Sequence, residues 1–147
     1  MLAAAQRVGD ADAVIDNLKV FGSALMVLGR EAEGAAHLER GFALALERHQ
    51  EGAAAQMLAN LGTGFASALQ LARAEDYARR GIEFCGDRDL DAPRLFQTAT
   101  LAHVLMLKGT WGEAATAAQA VTSDPRATVI ARIAALAVLG RLRARRG

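Results

Sequence analysis

The stretch LKGTWGEAATAAQAV, residues 107–121, decides the fold. It reads as the end of one helix, a tight turn and the start of a second helix lying antiparallel on the first. Gly109 is placed to leave the helix with positive φ, which a residue carrying a Cβ adopts only at a cost. Trp111 is a bulky apolar residue positioned to cover the corner. Ala114 and Ala118 stand one helical turn apart, so two backbones can approach closely there.

Working outward, the same device recurs upstream. Gly22, Gly62 and Ala102 are forty residues apart, and Gly140 follows after thirty-eight. Phe21, Leu61, Leu101 and Leu139 precede them. Leu25, Phe65 and Leu105 lie three residues later. Gly29, Leu69, Gly109 and Gly147 lie seven later. Gly34, Ala74 and Ala114 stay in register, as do Leu38, Ala78 and Ala118. Six columns across three to four copies mark an array of helical hairpins.

Taken in order, residues 1–9 read as an Ala-rich helix tail, and Asp10 or Asp12 as a cap for a helix over 13–28. Its expected apolar face is Val14, Leu18, Phe21, Leu25 and Leu28. A second helix over 31–48 carries Leu38, Phe42, Ala45 and Leu46. The next hairpin starts near Gln50, with Met57, Leu58, Leu61, Phe65 and Leu69 on its first helix. Its second helix, over 73–87, carries Tyr77, Ile82 and Phe84. The turn QLARA between them lacks glycine. The run GDRDLDAP reads as a loop, with Asp91 and Pro93 starting a helix that carries Leu95, Leu101, Leu105 and Leu107. Pro125 is expected at the first position of a last helix over 126–145. The repeats are therefore bounded at roughly 10–49, 50–89, 90–124 and an incomplete 125–147, all within a single domain over residues 1–147.

Composition agrees with helices. Apolar residues make up 52% of the 147, largely alanine, while aromatics are 5% and prolines number two. β-Branched alternation of the kind a strand needs is scarce. A net charge of +1 gives no global pull toward nucleic acid or an anionic surface. One cysteine excludes an intramolecular disulfide and suits a reducing compartment. No apolar run reaches the roughly 18 residues of a membrane span, and LAAA is too short for a signal-peptide core. The expected location is the cytoplasm, with no membrane contact.

No catalytic or metal-binding constellation emerges, and no cofactor is expected. His37, His49 and His103 fall on different hairpins, without a cysteine or carboxylate at ligand spacing. Cys85 reads as a half-buried structural thiol. Asp87, Asp89 and Asp91 alternate like the start of a calcium loop, but Ala92 and Thr98 stand where its glycine and final acid belong. Gly62 and Gly64 begin a Gly-x-Gly inside a helix, without the strand a dinucleotide site requires. The last 22 residues hold six arginines and no acid. Helical spacing spreads them around the axis and no aromatics interleave, so direct nucleic-acid binding by this segment is not expected.

The columns resemble the tetratricopeptide repeat, on Leu58, Leu61-Gly62, Phe65, Ala74 and Gly81. The period is forty rather than thirty-four, and Ala78 and Ala118 stand where the second-helix aromatic belongs. Longer helices and loops would account for the period, and such extended repeats occur in bacterial signal-transduction ATPases. The phrases EFCGDRDLD, GTWGEAA and ARIAALAVLGRLRARRG further resemble the repeat region of large bacterial LuxR-type transcriptional regulators that carry an AAA-like ATPase. That resemblance covers roughly residues 40–147. It implies that the chain is a piece of a larger protein, flanked by ATPase and DNA-binding domains outside it.

The resemblance implies an all-α, right-handed α-solenoid of about three and a half tetratricopeptide-like hairpins. Their first helices would line a concave groove. Carried onto this sequence, the inward positions are Asp16, Lys19 and Ser23, then Gln56, Asn60 and Thr63, then Phe96, Thr100 and His103, then Arg141. Lys19 and Asn60 match the carboxylate clamp of peptide-binding members, whereas Ser23, Phe96 and Thr100 do not. A groove with Phe96, Met106 and several hydroxyls suits a protein helix, an extended peptide or a small-molecule inducer. The expected function is a non-enzymatic sensing and interaction module of a transcriptional regulator. The alternative is a free-standing adaptor that scaffolds protein–protein interactions. A last helix without a hairpin mate would expose an apolar face, through which a homodimer is expected.

Overall fold

The computed structural model describes residues 2–145, with side chains from residue 11 onward. Among the described residues seven α-helices follow one another: α1 Leu2–Val27, α2 Glu31–Glu47, α3 Glu51–Ser67, α4 Leu71–Gly86, α5 Asp91–Lys108, α6 Trp111–Ser123 and α7 Val129–Ala144. Among the described residues there is no strand, and no helix is long and apolar enough to cross a membrane. Each helix packs on the next, and the first helices of successive hairpins also touch: α1 with α3, α3 with α5, α5 with α7. The backbones of α2, α4 and α6 do not approach one another. The first helices thus form one layer and the second helices a more widely spaced one.

The turns explain this regularity. Residues 29, 49, 69, 89 and 109 all have positive φ, each twenty positions after the last. At every one, the next residue donates its N–H back to a carbonyl five positions earlier: Arg30 to Leu25, Gln50 to Ala45, Gln70 to Phe65, Leu90 to Cys85 and Thr110 to Leu105, at 2.8–3.1 Å. A second bond runs from the positive-φ residue to the carbonyl three back. This is the Schellman closure, which satisfies the last carbonyls of a helix. The five accepting residues are all buried. One apolar anchor and one left-handed residue therefore end each of α1 to α5, whether the helix opens or closes a hairpin.

Several sequence expectations are corrected. Helix α1 runs unbroken through residues 10–12, so neither Asp10 nor Asp12 caps a helix. Neither residue is followed by a break in an Ala-rich, helix-favouring run, and the Asp12 carboxylate instead accepts from the Gln50 amide. The buried face of α1 is Ala11, Ile15, Leu18, Leu25 and Met26, whereas Val14, Phe21 and Leu28 are exposed. Spacing alone could not choose between two apolar stripes on one helix. Leu46 and Leu107 are likewise exposed, and Leu69 sits in the turn rather than on a helix face. The run GDRDLDAP, by contrast, behaves as expected: residues 87–90 form the turn, and α5 begins at Asp91 with Pro93 in its first turn. The last helix starts at Val129, three residues later than expected. Thr128 caps it by accepting from the Ala131 N–H at 3.3 Å, and Pro125 lies in the preceding turn. Cys85 is fully buried, and that burial raises its thiol pKa. Trp111 is partly exposed, with the Arg145 guanidinium 5.5 Å above its ring. The expected column position Gly147, and Arg146 of the basic tail, lie outside the described residues.

The core falls into two interlocking clusters. One gathers Ile15, Leu38, Met57, Leu58, Leu61 and Phe65 under the first two hairpins. The other gathers Leu95, Leu101, Leu105, Val121, Val138 and Leu142 under the rest. Val104 of α5 belongs to the first cluster and Ala78 of α4 to the second, so neither half closes without the other. In the first hairpin α1 and α2 cross closely: a Cβ on Gly34 would lie 2.7 Å from the Gly22 carbonyl oxygen.

Candidate functional site

The layer of first helices carries a continuous groove. Three hollows of about 150, 220 and 320 Å³ run along α1, α3, α5 and α7. Neighbouring hollows share walls: Asn60 between two of them, Thr63 and Ser67 between another two, and Phe96 again. Of the ten positions expected to face inward, Ser23, Gln56, Asn60, Thr63, Phe96, Thr100 and His103 line these hollows. Asp16 and Lys19 do not. They form an ion pair one turn apart on α1, at 2.8 Å, beside the end of the groove. Arg141 is exposed on α7 and acts on the groove through its charge near His103.

The groove walls are cross-braced. The Asn60 amide on α3 donates to the Ser23 hydroxyl on α1 at 2.9 Å, and Ser23 donates in turn to the Lys19 carbonyl at 2.7 Å. Thr63 donates to the Ala59 carbonyl at 2.9 Å, and Thr100 to the Phe96 carbonyl at 3.2 Å. Each of these hydroxyl protons is thus held by the protein's own backbone, and the oxygens keep lone pairs for a ligand. None of them is directed at a carboxylate or imidazole, as an activated nucleophile would be. Partial burial, and then the positive charge of Arg141, lower the pKa of His103 from its ordinary value. The ring is therefore neutral at pH 7, presenting one donor and one acceptor.

What this arrangement can do is bind. Phe96 supplies a half-buried aromatic face between two hollows, and the threonines, Asn60 and Gln56 supply neutral polar atoms around it. Met106, expected in the groove, is instead a core residue at 3% exposure, because its side chain points between helices rather than along the first-helix layer. Sequence reasoning missed Met26, Gly64, Ser67 and Ala134, which are among the remaining wall residues. Gly64 carries a usable signal. It lies one turn beyond Asn60, and a Cβ there would come 2.5 Å from the Met26 terminal carbon. Its missing side chain is what lets α1 and α3 share a wall.

The other chemical candidates take structural places. Among the described residues, no three His, Cys, Asp or Glu side chains gather at a metal-binding distance. Arg126 pairs with Asp91 and Asp124, both at 2.8 Å, and this pairing holds the Asp124 carboxyl down at about 2. Arg132 ties the α6–α7 turn through the carbonyls of Asp124 and Ala127. Two of the six C-terminal arginines are thereby committed within the fold. Gln97 is fully buried with its carbonyl oxygen unpaired, packed where Gly81 leaves room for it. No family model, curated protein or solved structure matches the chain.

Proposed function

We propose that this chain is a non-enzymatic binding module, a right-handed tetratricopeptide-like solenoid whose first-helix groove takes a short peptide segment or a small apolar ligand with N–H donors. The observation that carries the reading is the continuity of the groove across four helices, with Phe96 at its centre and neutral acceptors on both sides. A ligand lying along it would touch several hairpins at once. Its binding would therefore favour one curvature of the stack over others. That coupling suits the sensing segment of a cytoplasmic, bacterial LuxR-type regulator, as the phrases EFCGDRDLD and GTWGEAA imply. In such a protein the ATPase and DNA-binding domains lie elsewhere in the chain, and ligand in the groove shifts their activity.

The test is an NMR titration of 15N-labelled protein with acetylated, amidated heptapeptides bearing a central phenylalanine or leucine. Shifts are expected at the amides of Asn60, Thr63, Thr100 and His103, and not on α2, α4 or α6. Phe96→Ala is expected to weaken the best peptide about ten-fold, the scale of losing one aromatic contact. Shifts confined to the second helices, or an affinity indifferent to Phe96→Ala, would overturn the groove reading.

A further inference from the structure

Three joints build the stack: α3 packs on the first hairpin, α5 on the second and α7 on the third. One pair of register positions sets the packing at each. At the first joint Met57 of α3 lies over Gly41 of α2, where an added Cβ would come 2.6 Å from the Met57 terminal carbon. Forty residues on, Gln97 of α5 lies over Gly81 of α4 in the same way, with its amide carbon 2.5 Å from an added Cβ. At the third joint Val121 and Ala135 take these positions, and both are buried in one apolar cluster. Two joints are thus apolar at this point and the middle one is not. Gln97 is as fully buried as Met57. Its Nε2 donates to the Ala55 carbonyl at 3.3 Å, and among the described residues its Oε1 accepts from nothing. The Ala55 carbonyl lies within α3 and already takes the N–H four residues on, so the amide has only a share of it. Exchanging the amide's oxygen and nitrogen would set two oxygens against each other at Ala55, so turning it over gives no relief. A buried amide oxygen without a donor loses its hydration and gains no bond in return. Methionine at the same position loses nothing of that kind.

We propose that the stack flexes at the joint between its second and third hairpins, and that Gln97 makes this joint the easiest of the three to open. A small separation of α5 from α4 lets water reach the Gln97 oxygen, so opening recovers a hydrogen bond there. The same movement at Met57 would only expose apolar surface. The excursion is limited, because Val104 and Ala78 each belong to the core cluster across the joint. The consequence falls on the groove. Its hollows of about 320 and 220 Å³ have walls on both sides of this joint, from Asn60 and Phe96 in one and from Thr63 and Thr100 in the other. Their widths therefore follow the setting of the joint. The third hollow is walled by α1 and α3 alone and keeps its shape. The joint is in this way a built-in control on how much of the groove is open at one time.

The chain supplies its own probe. Cys85 is its one cysteine, is fully buried, and lies one turn beyond Gly81 on the α4 face turned toward α5. The matching position at the first joint is Ala45, also fully buried. Labelling of the Cys85 thiol with dithiobis(nitrobenzoate), in a series of low urea concentrations, measures how often the middle joint opens. An Ala45→Cys, Cys85→Ala chain measures the first joint, each rate being divided by that of the same thiol in the unfolded chain. Cys85 is expected to label about ten-fold faster than the thiol at position 45, at a rate nearly independent of urea below the unfolding transition. Gln97→Met copies the first joint. It is expected to slow Cys85 labelling about ten-fold and to raise the melting midpoint by about 2–6 °C. Gln97→Leu repeats that arm, which needs no introduced cysteine, and circular dichroism checks that each fold is kept. Equal protection at the two joints would overturn the proposal, as would a Cys85 rate as steep in urea as global unfolding. So would a Gln97→Met chain that labels no more slowly. A lower melting midpoint for both Gln97 variants would sink it too, by showing that the buried oxygen is satisfied where it lies. No ligand is used, so the outcome stands apart from what the groove binds.

Discussion

At the scale of single residues, one column of small side chains serves different purposes in different hairpins. Gly22 and Gly34 meet where α1 and α2 cross. A Cβ on Gly34 would press on the Gly22 carbonyl at 2.7 Å and the Met26 amide nitrogen at 2.9 Å. Those are backbone atoms held in helices and cannot swing aside. Gly62 occupies the same column, yet a Cβ there would meet its nearest neighbour, the Ala78 nitrogen, at 3.6 Å. Ordinary contact is available, and Ala102 already fills the equivalent place in the next hairpin. Gly34→Ala is therefore expected to destabilise by about 1–3 kcal/mol through overpacking. Gly62→Ala is expected to stabilise by up to about 1 kcal/mol, through helix propensity and lower unfolded-state entropy. Urea unfolding of both variants checks the pair, and equal effects of one sign would show that the crossings are alike. The sequence announced the column plainly. It did not announce which glycine was needed, because that depends on helix separation, and separation is set by all the side chains along both helices.

At the scale of elements, the helices were legible because five of the six turns obey one rule, and the misread boundaries are those where that rule is absent or disguised. Gly29 and Gly109 declared themselves. Leu69, with φ of 58°, did not, since nothing marks a leucine as left-handed. Its conformation follows from the buried Phe65 anchor and the Gln70 N–H returning to it at 2.9 Å. A left-handed residue with a Cβ costs about 1–2 kcal/mol, whereas glycine there gives back part of that gain as unfolded-chain entropy. Leu69 is 70% exposed, so little burial would be lost. Leu69→Gly is expected to raise stability by about 0.5–1 kcal/mol, read as a higher midpoint in thermal melting. A fall would show that the leucine side chain has packing importance its exposure conceals. The α6–α7 connection is the one that breaks the pattern. There Arg126, Asp124 and the Thr128 cap replace the left-handed turn, and the sequence reading placed the helix start three residues early. The groove was legible where a position repeats, as Ser23, Thr63 and His103 do. It was not legible where the wall is made by a missing side chain, as at Gly64.

At the scale of the whole molecule, the stack has an inside and two ends, and stability should follow that order. Among the described residues, helices α3 and α5 are each contacted by four others and every other helix by two, and α1 and α7 in addition have a neighbouring hairpin on one side only. In a linear array, local opening begins where neighbours are fewest. Hydrogen exchange is expected to be slowest at amides in the middle of α3 and α5, and faster in α1 and α7. Uniform protection along the chain would show that the two core clusters open as one unit. The even spacing of the left-handed residues, from 29 to 109, also governs how such a chain can change length. Twenty residues is one helix and one reversal of direction. Inserting a single such unit would point every downstream helix the wrong way and present second-helix faces where the groove walls should be. Inserting two would lengthen the groove and leave every face as it was. Growth and shrinkage of this architecture are therefore confined to even steps, a parity rule written into the backbone rather than into any one side chain.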